Sequence, residues 1–341
     1  MTDSGFIGEI EDHPDFREFV FPLDRLDFIR DAVLFIRRDG LIIFSEGYFH
    51  PPGQLIGNIV YAPHPDGSKT FFGRRFRSVI KKKTGGEDEW IDYRDQLEIY
   101  RELAPESQVG KPLFARYKCR FSLEEMAGFV DHRHSLLQAR LKVPAVDDSM
   151  NKIARMLAVP VETIGATGSM ALGNLESAHD FDLVFYGTTA EHRSLVNRIY
   201  RILEDPERRV FEMGMHWAIR FYDDWGNMIC PFFSYSDPSE IPLRRFDLAL
   251  REEKVEFRGR VTGDRHSFYM PSVLELDGVE IQGRREPERL TLILYHGGLR
   301  GEYRLHDLVE GRAKLVEVIT EHRSFPALLS DHLLDTRKVD K

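Results

Sequence analysis

The stretch IGATGSMALGNLESAHDFDLVF, from Ile164 to Phe185, constrains this chain more than any other. Asp180 and Asp182 stand two apart in DFDLVFYG, a run with strand character. Both carboxylates therefore project from one face, while Phe181 and Leu183 point into a core. Like charges on one rigid surface repel unless a cation neutralises them. Hard carboxylate oxygens suit Mg²⁺, which keeps positions for phosphate oxygens and water. Two such ions ~3.5–4 Å apart can hold both the attacking and the leaving oxygen of an in-line displacement. Upstream, VETIGATGS reads as a short strand entering a turn and a helix, with Gly168 and Ser169 at the junction. Glycine lets the backbone approach a phosphate, N–H groups at a helix start attract anions, and the serine adds a hydroxyl donor. The loop from Met170 to His179 then returns the chain to the acid strand, so the phosphate cradle and the carboxylates are expected side by side.

Taken singly, these parts are ordinary. A Gly-Ser pair is mostly a turn, and Asp-x-Asp on an exposed strand face is mostly a solvated edge. The combination carries the signal, because clustered, mutually repelling acids mark functional sites. Strand, Gly-Ser, short helix, then acid–apolar–acid leading an apolar strand resembles the signature of the DNA polymerase β-like nucleotidyltransferase superfamily. The resemblance covers about one domain's worth of chain, roughly residues 145–250. It implies a mixed α/β fold in which Gly168 and Ser169 hold a triphosphate and Asp180 and Asp182 bind Mg²⁺. The whole chain is also similar to predicted archaeal and bacterial nucleotidyltransferases with an added N-terminal module containing a Gly-Tyr-x-His-Pro-Pro stretch. Here that stretch is Gly47-Tyr48-Phe49-His50-Pro51-Pro52. There is one departure. The family's active members carry a third carboxylate on a neighbouring strand, where MICPFFSY presents Cys230. Asp223 and Asp224 suit a hairpin turn, and Asp237 and Glu240 lie beyond the strand. Arg220 shares a face of MHWAIRFY with His216 and is a candidate nucleotide-binding charge stabiliser. A buried, hydrogen-bonded His–Arg pair is the plainer reading.

The rest of the chain reads as α+β: an N-terminal α+β module over 1–140, the mixed α/β nucleotidyltransferase domain over 141–250, and a small β-barrel-like domain over 251–341. Residues 30–80 are mainly strands, with AVLFIRR and LIIFSEGYF flanking a hairpin at Asp39-Gly40. IDYRDQLEIYREL and FSLEEMAGFVDHRHSLLQARL read as helices. Asp147-Asp148-Ser149 is placed as the cap of a helix over MNKIARMLAV. AEHRSLVNRIYRILEDP is an amphipathic helix burying Leu195, Ile199 and Leu203. MHWAIRFY and MICPFFSY form a hairpin across residues 223–227. KVEFRGRV, SFYMPSVLEL, LTLILYHG and AKLVEVI are strands.

Composition narrows the partners. A net charge of −9 argues against broad nucleic-acid coating and against a processive polymerase, although a local basic groove remains open. Arg74, Arg75, Arg77, Lys81, Lys82 and Lys83 form such a local run with Phe71, Phe72 and Phe76 interleaved. Against a single-strand or RNA-end binder stands the favoured reading of a solvated strand face. His50-Pro51-Pro52 is read as a rigid loop, His132 and His134 as solvated helical residues on different faces, and His296-Gly297-Gly298 as a turn. Two cysteines make no disulfide framework, and no apolar run reaches membrane-spanning length. With no signal-peptide pattern at the start, a cytoplasmic protein without a membrane partner is expected. The sequence thus points to a Mg²⁺-dependent enzyme moving a nucleoside monophosphate from an NTP to an RNA end, a small molecule or a protein. The alternative is a catalytically impaired nucleotide sensor or nucleic-acid-binding protein on the same fold.

Overall fold

A computed structural model describes residues 4–84, 87–107, 118–175, 180–212 and 215–339. The chain is a mixed α/β structure built on three principal sheets. The first is an eight-stranded antiparallel sheet centred on Leu34–Arg37, Ile42–Ser45 and Gln54–Pro63. The hairpin at Asp39-Gly40 forms as expected, with Gly40 at φ +91° and its tip tied by Arg37 Nε donating to Asp39 Oδ1 at 2.9 Å.

The second sheet has five strands in the order Ile164–Ala166, Asp180–Gly187, Met228–Tyr235, Met215–Tyr222, Arg209–Glu212. Its single parallel pair joins the acid strand, Asp180–Gly187, to the cysteine strand, Met228–Tyr235. Parallel neighbours need a long crossover. The helix Thr189–Ile202 begins that crossover, locked at its start by a capping box between Thr188 and Glu191. Leu195, Ile199 and Leu203 are buried along its inner side. The hairpin across 223–227 is also present: Asp223 Oδ1 accepts from the Trp225 and Asn227 amides at 2.9 and 2.8 Å, and Gly226 takes φ +81°. In the third sheet, Asp247–His266, Ser272–Ile281, Leu290–Leu294, Ser324–Ser330 and Leu308–Ile319 pair in succession. The last then pairs with the first, so the sheet closes into a ring.

Three local expectations are corrected. FSLEEMAGFVDHRHSLLQARL is α-helical only from His132 to Lys142; before it run the strands Cys119–Ser122 and Met126–Val130, joined by a 3₁₀ turn at Leu123–Glu125. Met126–Val130 fills the gap between Val20–Phe21 and Leu34–Arg37, and Gly128 lets it sit against the Phe21 backbone. Tertiary pairing there overrides local helical character. The helix assigned to 150–159 starts earlier, at Pro144, so Asp147, Asp148 and Ser149 lie inside Pro144–Leu157 and cap nothing. His132 is buried, not solvated: its Nδ1 meets Tyr186 Oη at 2.9 Å and its Nε2 meets the Ala32 carbonyl at 2.8 Å.

One apolar core joins Leu34 and Ile42 of the first sheet to Leu183 and Phe233 of the second and Phe268 beside the third. Among the described residues no helix is long and apolar enough to cross a membrane.

Candidate functional site

The acid strand and its neighbour set the site. In the parallel register Asp182 lies beside Cys230 and Asp180 beside Met228. Extending the antiparallel register of Phe221 with Ile229 by one residue brings Arg220 beside Cys230. Asp182, Cys230 and Arg220 therefore form a row across three strands. The Gly-Ser turn folds onto this row. The Thr167 amide donates to the Asp182 carbonyl at 3.0 Å, and Gly168 follows at φ +65°. A Cβ on Gly168 would run into Asp182 Oδ2. Glycine is required here twice over, by its backbone conformation and by the carboxylate against it.

The helix expected after Ser169 is a single 3₁₀ turn, Met170–Leu172, and the serine hydroxyl makes no capping bond to it. An anion at this turn would be held by individual N–H groups and the Ser169 hydroxyl, with little aid from a helix dipole.

Gly168, Ser169, Asp180, Asp182, Cys230 and Arg220 open on one cavity of about 700 Å³, within the range of small-molecule sites. Seven Lys and Arg side chains line it against five Asp and Glu. In a chain of net charge −9, that local reversal of sign favours an anionic ligand. Distant parts of the chain contribute: Arg77 comes from the first sheet, Lys81 and Lys82 from a separate two-stranded sheet, and Gly297, Gly298 and Arg300 from the turn that follows Leu290–Leu294.

Asp180 opens to the cavity but is hemmed by protein. Its carboxyl is pushed up to about 7 by burial and by the Asp182 charge. Asp182 is also raised by burial, with Arg220 and a hydrogen bond from the Cys230 thiol pulling the other way. Burial pushes Cys230 up to about 12, so it stands beside the acids as a neutral S–H. Arg220 is held charged: burial works against it, but Cys230, Glu212, Asp182 and Asp180 outweigh that cost. Its Nη1 pairs with Glu212, its guanidinium lies 3.7 Å from the Trp217 ring centre, and its Nε has no partner.

The remaining candidates sort cleanly. His216 is not bonded to Arg220 and does not line the cavity, so the expected His–Arg pair does not form; Glu212 takes that place. Asp223 closes its turn, Asp224 pairs with Arg208, Asp237 caps Ser239, and Glu240 binds Thr189 and Arg265. None of the four supplies a third acid to the cavity. The basic run divides: Arg74 pairs with Glu9 and Arg75 donates to the Gly67 carbonyl, whereas Arg77, Lys81 and Lys82 line the cavity. The Lys83 side chain lies outside the described residues. Phe71, Phe72 and Phe76 are buried in the core and offer no stacking platform. His50 is a loop brace, accepting from the Ile56 amide at 3.0 Å, and His296 holds its turn by accepting from the Gly298 amide at 3.1 Å.

Comparison with protein-family models, curated proteins and solved structures finds no match. The chemistry of the cavity therefore carries the functional reading. Among the described residues no group of three or more His, Cys, Asp or Glu side chains is arranged to hold a metal ion. Two carboxylates nonetheless fit Mg²⁺, which is commonly bound through one or two protein carboxylates plus phosphate and water. Asp180 and Asp182 have that hard-oxygen character, and burial raises both carboxyls despite the pull of Arg220 and Lys81, a cost that a cation would offset.

Sequence reasoning missed Asp31, Glu46, Asn58, Lys118, Trp217 and Arg300, all of which line the cavity. Asn58 and Trp217 lie within strands and the others on loops or just beyond strand ends, far apart in the chain, where no spacing brings them together.

Proposed function

We propose that the chain is a Mg²⁺-dependent nucleotidyltransferase, with NTP bound between the Gly168-Ser169 turn and the Asp180–Asp182 pair. The observation that carries this reading is the packing of Gly168 directly on the Asp182 carboxylate. It makes the phosphate-approach turn and the acid pair one continuous surface, in a cavity lined by more cations than anions. Mg²⁺ on Asp180 and Asp182 would neutralise phosphate charge and align the reacting oxygens.

The protein's own residues divide the remaining work. Gly168 and Ser169 position the phosphates, and Arg220, fixed by Glu212 and Trp217, presents charge where negative charge grows. Arg77, Lys81 and Lys82 add attraction for the triphosphate at the cavity wall. The acceptor atom bonds to the α-phosphorus as the bond to pyrophosphate breaks, and the acceptor's proton leaves to base or solvent. Most of the rate gain would come from positioning and charge neutralisation.

The test is a thermal-stability titration of each NTP with Mg²⁺ and with EDTA, on wild type and Asp182→Asn. Stabilisation that needs Mg²⁺ and disappears in Asp182→Asn is expected. No stabilisation of wild type by any NTP would sink the proposal. A second reading, nucleotide sensing without turnover, is favoured by Cys230, whose neutral thiol occupies the strand position beside Asp182. Mg²⁺–NTP binding with no pyrophosphate release across acceptors would select it.

A further inference from the structure

A second charged cluster faces the same cavity from the first sheet. Asp31 and Glu46 lie just outside the paired ends of the strands Leu34–Arg37 and Ile42–Ser45, and both are buried. Glu46 Oε1 accepts from Lys118 Nζ at 2.9 Å and from Asn58 Nδ2 at 2.7 Å. Asp31 Oδ1 accepts from the Gly47 amide at 2.7 Å. The cluster is fastened to the Gly-Ser turn. Ala32, next to Asp31, takes φ +65°, and its carbonyl accepts from Thr167 Oγ1 at 2.6 Å and bonds His132 Nε2. Asp31 thus stands beside the residues that lead into Gly168. Arg300 lines the same cavity and acts electrostatically on both Asp31 and Asp182.

Three residues that line the cavity also carry a polar atom with no partner in the protein. Asn58 Oδ1 in this cluster, and Trp217 Nε1 and Arg220 Nε on the acid-strand side of the same cavity, are buried without partners; Trp217 and Arg220 are themselves at least nine-tenths buried and Asn58 is half-buried. Unmet buried groups cost stability, so a wall that keeps them is shaped for something that satisfies them.

Resting on the nucleotidyltransferase reading, we propose that Asp31, Glu46, Asn58 and Lys118 form the acceptor subsite, taking a small molecule rich in hydroxyl or amine donors. Asn58 Oδ1 and the Asp31 carboxyl call for donors, which such an acceptor supplies. An RNA end is disfavoured, because Asp31 and Glu46 are recessed in the wall, at 4% and 9% exposure, and Lys118, the cluster's one cation, is already held by Glu46. In the transfer, the acceptor oxygen or nitrogen forms its bond to the α-phosphorus, pyrophosphate leaves, and the acceptor's proton passes to a carboxylate of this wall or to solvent.

The experiment incubates the full chain with Mg²⁺ and α-labelled NTP. Its acceptor sources are the low-molecular-weight, RNA and protein fractions of a cell extract, used separately. Label in the low-molecular-weight fraction is expected, reduced about tenfold or more in Asp31→Asn and in Asn58→Ala. Both variants should still show the Mg²⁺–NTP thermal shift, which also reports that they fold. Label in RNA or protein instead, or none in the small-molecule fraction while wild type binds Mg²⁺–NTP, overturns the subsite. Equal labelling by wild type and both variants overturns it as well. Failure of wild type to bind Mg²⁺–NTP is a separate result, which removes the nucleotidyltransferase reading and this inference with it.

Discussion

Asp31→Asn removes a buried charge that the fold resists. The Asp31 carboxyl moves from its ordinary 3.8 up to about 7, driven first by burial and then by Glu46, against the pull of Arg300. Below about pH 4 it is protonated in both folded and unfolded chains and contributes nothing. Between 4 and 7 the unfolded chain releases the proton while the folded chain keeps it, so this group makes stability fall as pH rises. From 3.8 to about 7 is roughly three pH units. At ~1.4 kcal/mol per unit, the ionised carboxylate costs at most about 4 kcal/mol above pH 7. Asparagine keeps an oxygen for the Gly47 amide and carries no charge. Urea unfolding of the Mg²⁺-free protein should therefore find Asp31→Asn more stable than wild type near pH 8, by up to about 4 kcal/mol. Near pH 4 the two should be nearly equal. A variant less stable than wild type near pH 8 would refute the reasoning, since attraction to Arg300 and Lys118 would then outweigh burial.

Other expectations can be checked with the same material. Gly168→Ala must hold a left-handed backbone and displace Asp182 Oδ2; a loss of about 1–2 kcal/mol is expected from the backbone alone, together with loss of the Mg²⁺–NTP thermal shift. Because Asp180 ionises only near 7, Mg²⁺-dependent NTP binding should weaken as pH falls through that value, measured by calorimetry from about pH 8 to 5.5. Cys230→Asp puts a third carboxylate beside Asp182; the metal-free protein should melt lower than wild type, and added Mg²⁺ should recover more of the loss than in wild type.

The local half of the site was legible because period-two alternation is a short-range signal. DFDLVFYG shows which residues face the cavity and which the core, and Phe181 and Leu183 are buried as that pattern requires. The hairpins at Asp39-Gly40 and across 223–227 were legible for the same reason, since a turn is decided by a few adjacent residues. What escaped depends on partners distant in sequence. Met126–Val130 became a strand because two other strands left a slot for it. His132 looked like a solvated helical residue until Tyr186 and Ala32 closed on its two nitrogens. Asp31 and Arg300 are separated by most of the chain, and only the packing of three sheets brings both to the cavity.

That shared wall has a consequence for the order of events during synthesis. Asp31, Asp182 and Arg300 leave the ribosome in turn, and the cavity needs all three. A nascent chain stalled before residue 300 lacks one wall, however well its earlier sheets have folded. Ligand-dependent protection from protease should therefore switch on abruptly with chain length, once the wall around residue 300 has emerged, and serve as a timer for the docking of the third sheet.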